Sequence, residues 1–173
     1  MTNLFADTNY NGDISEWDVS NVSNMEDMFA VAKYFNQPIG DWDVSHIKNM
    51  SCMFCYAESF NQPIGDWDVS HVTDMDRMFY HAEKFNQPIG DWDVSHVTDM
   101  EYMFWCAKSF NQSIKNWDVN NETNIENIFY NCNIKDEYKP NFDNNDEDDE
   151  YFAEYNIIVN ICRDIINYYD VDN

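Results

Sequence analysis

Apolar residues return along this chain in a fixed order. Trp17, Trp42, Trp67, Trp92 and Trp117 stand 25 residues apart, and each is followed by Asp and then by Val. Met25, Met50, Met75 and Met100 keep the same interval, as do Phe29, Phe54, Phe79 and Phe104, and Phe35, Phe60, Phe85 and Phe110. Within one unit the pattern changes period. Trp67-Asp68-Val69-Ser70 alternates apolar and polar, which predicts a short strand with Trp67 and Val69 facing inward. Met75, Met78, Phe79 and Ala82 follow the i, i+3, i+4, i+7 spacing of one helix face. Thr73-x-x-Asp76 before them resembles a capping box. Asn86-Gln-Pro-Ile-Gly90 ends the segment, since Pro cannot continue a helix and Gly tolerates unusual dihedrals.

A unit this short cannot bury its own apolar face, so successive units must cover one another. The pattern predicts an α/β fold, a right-handed repeat solenoid of 25-residue coils, each holding one short parallel β-strand and one short α-helix. The Trp, Met and Phe rows form its predicted core. Asn36, Asn61, Asn86 and Asn111 form a predicted ladder, their amides satisfying backbone groups of adjacent coils. The Trp-Asp dipeptide suggests a propeller blade, but a blade needs about 40 to 45 residues and four strands. The repeats are expected over 1–135, about four full and two partial units. An acidic linker is expected over 136–150 and an amphipathic helix over 151–173, as either a cap on the array or a docking element.

Composition narrows the function. A formal net charge of −24 repels phosphate backbones and anionic membranes, so neither nucleic acid nor a membrane is an expected partner. The start of the chain lacks a basic segment followed by an apolar run, and no stretch approaches the roughly 20 apolar residues of a membrane span. A soluble intracellular protein is the expectation. Five cysteines do not suggest a disulfide framework.

The segment from Phe60 to Met75, reading FNQPIGDWDVSHVTDM, with Met78-Phe79 after it, resembles the repeat of the BspA-like surface proteins. That group includes mycoplasma-type lipoproteins and belongs to the leucine-rich-repeat-like solenoids. The resemblance covers about residues 1 to 132. It implies a right-handed leucine-rich-repeat-like solenoid and a role in protein interaction or adhesion, and it supplies no catalytic residues.

Several rows carry candidate chemistry. The stacked pairs Asp41/Asp43, Asp66/Asp68 and Asp91/Asp93 suit either calcium or the capping of turns, and the second is preferred because calcium-binding coils are richer in Gly. His46, His71 and His96 form a row read as an exposed polar edge, with transition-metal binding as the alternative. Cys52-x-x-Cys55 has no second ligand pair for zinc. No cofactor, metal site or catalytic set is assigned.

The positions that vary between repeats are more telling. The row Ala30, Cys55, Tyr80, Trp105, Tyr130 turns aromatic, with Tyr56, His81 and Tyr102 nearby. Exposed aromatics on a rigid support are interface anchors. Tyr56, Tyr80, His81, Tyr102, Trp105 and Tyr130 are therefore the candidate partner surface, unless the C-terminal helix packs over them. The expected function is a non-enzymatic scaffold for a protein partner. The alternatives are a cation-binding solenoid and a surface or adhesion protein without its export signal.

Overall fold

The computed structural model describes residues 1–142. The expectations for a linker over 143–150 and a helix over 151–173 lie outside the described residues.

The repeat is built of tight turns. In the unit from Ile64 to Phe85, N–H to C=O bonds three residues apart join Trp67 to Ile64, Val72 to Val69, Met78 to Met75, Ala82 to Phe79 and Phe85 to Ala82. Every one of these turn ends is a buried apolar residue. A chain of four-residue turns whose first and last positions face inward thus generates the spacing of an amphipathic helix without being one.

The expected α/β solenoid, with a strand and a helix in each coil, is therefore wrong. Among the described residues the regular structure is one 3-10 turn, Asp136–Tyr138, together with single-residue parallel bridges. The bridges join Asn24 to Asn49, Asn49 to Asp74, Asp74 to Asp99 and Asp99 to Asn124, not the Trp-Asp-Val-Ser segments. Two backbone features exclude the helix. Arg77 and His81 lie at φ 52° and 55°, each at the third position of its turn, where a type II turn requires positive φ. An α-helix needs φ near −63° throughout. The same two positions are left-handed in the neighbouring units, at Asp27 and Val31, Cys52 and Tyr56, Tyr102 and Cys106, and Asn127 and Asn131.

The second feature is spacing. The N–H groups of Met75, Arg77, Phe79 and His81 donate to the carbonyls of Asp99, Glu101, Met103 and Trp105 in the next unit, at 2.8 to 2.9 Å. Bonding of this kind holds neighbouring backbones about 4.8 Å apart. Packed helices need 8–10 Å between axes. The rings of Phe29, Phe54, Phe79 and Phe104 follow the short step, stacking at 5.6, 5.7 and 5.6 Å between centroids. Phe35, Phe60, Phe85 and Phe110 form a second column at 6.0, 6.1 and 5.9 Å.

The opposite margin of each unit is held as closely. Trp42, Trp67, Trp92 and Trp117 are buried. The indole Nε1 of each donates to the carbonyl of Ile14, Ile39, Ile64 or Ile89 in the preceding unit, at 3.0 to 3.2 Å. Trp17, expected in the core, is 38% exposed because it belongs to the first unit. Stacked indoles occur at Trp92 and Trp117, 6.5 Å apart. The Asn row works as a ladder: Oδ1 of Asn36, Asn61 and Asn86 accepts from the backbone N–H of Asn61, Asn86 and Asn111 at 2.9 Å. Asn111 Oδ1 accepts from Lys135 N–H at 3.1 Å.

The glycines do not serve unusual dihedrals, since no glycine among the described residues has positive φ. They admit close approach instead. A Cβ on Gly40 or Gly65 would lie 2.5 or 2.4 Å from the carbonyl oxygen of Pro63 or Pro88 in the next unit. The expected capping boxes are absent too. Thr73 Oγ1 donates to the Lys48 carbonyl and Thr98 Oγ1 to the Thr73 carbonyl. The turn is capped instead by Asp74 Oδ1, which accepts from Asp76 N–H at 3.0 Å.

The ends of the column are partial units. Asn3, Phe5 and Asp7 donate backbone N–H groups to Glu26, Met28 and Ala30. At the other end Ile114 N–H donates to the Tyr138 carbonyl, and Phe142 packs against Phe129 at 6.2 Å. Residues 136–142, expected as the start of a linker, thus pack on the last unit.

Candidate interaction surface

The left-handed turns that exclude a helix also build a face. Each positive-φ residue from Asn3 to Cys106 sends its N–H to the next unit. Tyr56, His81 and Cys106 donate to the carbonyls of Tyr80, Trp105 and Tyr130 at 2.7 to 2.8 Å. This fixes the backbone of the variable row in register.

The six candidate residues come together. The rings of Tyr56 and His81 stack at 4.6 Å, and Tyr56 meets Tyr80 edge-on at 5.4 Å. Tyr80 lies 6.1 Å from Trp105 and 6.5 Å from Tyr102. Tyr102 meets Trp105 edge-on at 5.2 Å, and Trp105 stacks on Tyr130 at 3.8 Å. Tyr56 is 37% exposed and the other five are half-buried. Burial, with Tyr56 beside it, pushes the Tyr80 phenol up to about 12. The row thus offers ring faces and neutral hydroxyls over four successive units. Ala30, at the same position in the first full unit, is buried.

Beside the aromatic row runs an acidic one, at Glu26, Asp76, Glu101 and Glu126, with Ser51 in the second unit. Its 25-residue recurrence is legible in the sequence. Ligand oxygens of Asp76, Asp99 and Glu101 lie within 4.8 Å of one another. Burial, reinforced by Asp99 and Glu101 and opposed by Arg77, raises the Asp76 carboxyl to about 6. Asp76 Oδ2 pairs with the Arg77 guanidinium, while Oδ1 is buried without a hydrogen-bond partner. The Arg77 guanidinium also lies over the Tyr102 ring, 4.7 Å from its centroid. A metal ion at this cluster would compete with Arg77 for Asp76.

The other candidate rows are engaged locally. Oδ1 of Asp43, Asp68 and Asp93 accepts from both the N–H and Oγ of Ser45, Ser70 and Ser95, which holds each carboxyl below the usual range. They cap turns. His46, His71 and His96 are exposed, each with Nδ1 within 3.0 to 3.3 Å of the preceding Ser Oγ. The thiols of Cys52 and Cys55 are hydrogen-bonded to each other, which raises the first and lowers the second. No helix among the described residues is long and apolar enough to cross a membrane.

No curated protein and no solved structure matches the chain. A family model described as "Mycoplasma protein of unknown function, DUF285" matches residues 1–72 and 39–142, which takes in every repeat of the column. The two matches overlap over residues 39–72. Together the matches span residues 1–142, well over half of the sequence, and the chain belongs to the DUF285 family.

Proposed function

We propose that this chain is a non-enzymatic scaffold that binds a protein partner through the aromatic row on its variable face. One observation carries the reading. Six ring-bearing side chains from four successive units meet on one surface, at positions where the packing of the column does not call for aromatics. Trp and Tyr supply large contact area at small entropic cost, and they are enriched among residues that dominate binding. The acidic charge of the chain adds selection against polyanions.

Capture from host lysate with the full chain and with a Tyr80→Ala/Trp105→Ala variant tests the reading. A partner held by the wild type and lost by a variant of unchanged melting temperature supports it. A partner held equally by both places the binding elsewhere and refutes it.

Cation binding has one observation in its favour, the Asp76, Asp99 and Glu101 grouping with its partnerless Oδ1. A calcium-dependent rise in melting temperature, reversed by chelator and absent in Asp99→Asn/Glu101→Gln, is its expected mark.

A further inference from the structure

The scaffold reading leaves the chemistry of the partner open, and the following inference rests on that reading. The aromatic row is not flanked at random. Tyr102, which touches both Tyr80 and Trp105, has its phenol raised by burial and by the nearby carboxylates of Glu101 and Glu126. Asp76 stands one unit away, with Asp99 and Glu101 beside it. In the row that holds Asp76, Glu101 and Glu126, with Ser51 in the second unit, the following residue is Asp27, Cys52, Arg77, Tyr102 and Asn127 in successive units, so a cation appears there once.

That single cation shows what the surface accepts. Arg77 lies over Tyr102, its guanidinium carbon 4.7 Å from the ring centroid, while it pairs with Asp76. One planar cation thus uses a ring face and a carboxylate together. Tyr102 joins the same two kinds of group in the next unit: it meets the rings of Tyr80 and Trp105 and lies near the carboxylates of Glu101 and Glu126, while Asn127 stands where a second arginine would.

We propose that the strip formed by Tyr80, Trp105 and Tyr130, with the carboxylates of Asp76, Glu101 and Glu126, docks an arginine-rich polypeptide segment of the partner. Arginine is chosen over lysine because the planar guanidinium stacks on Trp and Tyr while its edge donates to a carboxylate. A lysine ammonium satisfies the charge but not the stacking geometry.

Titration of the full chain with octa-arginine and with octa-lysine, followed by calorimetry at physiological salt, tests this. Both peptides carry the same charge, so the general attraction of an acidic protein for polycations cancels in the comparison. The expected result is about fivefold tighter binding of octa-arginine. Tyr80→Ala/Trp105→Ala should bring octa-arginine to the octa-lysine value and leave octa-lysine unchanged. A melting temperature equal to wild type certifies the variant, and the wild-type comparison needs no variant at all. Equal affinity for the two peptides overturns the inference, as does an aromatic variant that keeps the preference. Either result leaves the scaffold reading intact, because lysate capture scores the Tyr80/Trp105 dependence without reference to peptide charge.

Discussion

The indole Nε1 of Trp67 donates to the carbonyl oxygen of Ile39, 28 residues earlier, at 3.1 Å. The bond makes the Trp row a fastener between units as well as a core row. Trp67→Phe keeps an aromatic ring but removes one of the two donors to the Ile39 carbonyl, which retains the Trp42 N–H, and should cost about 1–2 kcal/mol. Trp17 has no full unit before it and is 38% exposed, so Trp17→Phe should cost less than about 1 kcal/mol. Urea melts of the two variants check this. Equal losses would mean that the bond contributes nothing.

Gly65 faces the Pro88 carbonyl so closely that a Cβ would stand 2.4 Å from it. Backbone cannot step aside as a side chain can, so Gly65→Ala should destabilise the protein by about 1–3 kcal/mol. At Gly12 the nearest obstacle is the Tyr10 side chain, and Gly12→Ala should be milder. Thermal melts rank the two, and the reverse order would contradict the close approach.

Val31 is a β-branched residue at φ 60°. A left-handed conformation costs an ordinary L-residue about 1–2 kcal/mol, and Asn bears it better. Asn131 already stands at the equivalent position, at φ 53°. Val31→Asn should therefore stabilise the chain by about 0.5–1 kcal/mol, read as a rise in melting temperature. A fall would show that Val31 is not strained.

Asp76 gives the column a pH dependence of definite sign. Its carboxyl is raised to about 6 by burial, above the ordinary 3.8 expected when unfolded. The folded state therefore holds the proton more tightly. The stability from this group is fully present below the unfolded value and is lost as pH rises through the folded value. Asp43, Asp68 and Asp93, lowered by their serine partners, act in the opposite sense and lose their contribution only as pH falls below 3.8. Asp76→Asn should match wild type near pH 4 and melt higher than wild type above pH 6. A difference that stays constant over this range would rule out Asp76 as the source.

The inward rows were legible in the sequence because burial depends on which residues face in, and the 25-residue period states that directly. Met75, Met78, Phe79 and Ala82 are all fully buried, as a helix would also bury them. The element type was not legible, because successive four-residue turns and a helix place apolar residues at the same intervals. What separates them is backbone sign at Arg77 and His81; Arg gives no hint of positive φ, and the residue types that favour it stand mainly at the equivalent Asp27, Asn127 and Asn131 of other units. The aromatic surface was legible because Tyr80, Trp105 and Tyr130 break a row that begins with Ala30. The adjoining acidic row was equally periodic, but its spacing in Thr73-x-x-Asp76 also fits a helix capping box, and Ser51 interrupts it.

The Phe79 amide decides between the two backbones. In the turn-built column its N–H donates to the Met103 carbonyl of the next unit at 2.9 Å, whereas an α-helix would direct it to Met75. Scalar coupling across the hydrogen bond, measured by NMR between the Phe79 amide nitrogen and carbonyl carbons, reads the acceptor directly. Coupling to Met103 is the expected result; coupling to Met75 would restore the helix and dismantle the column.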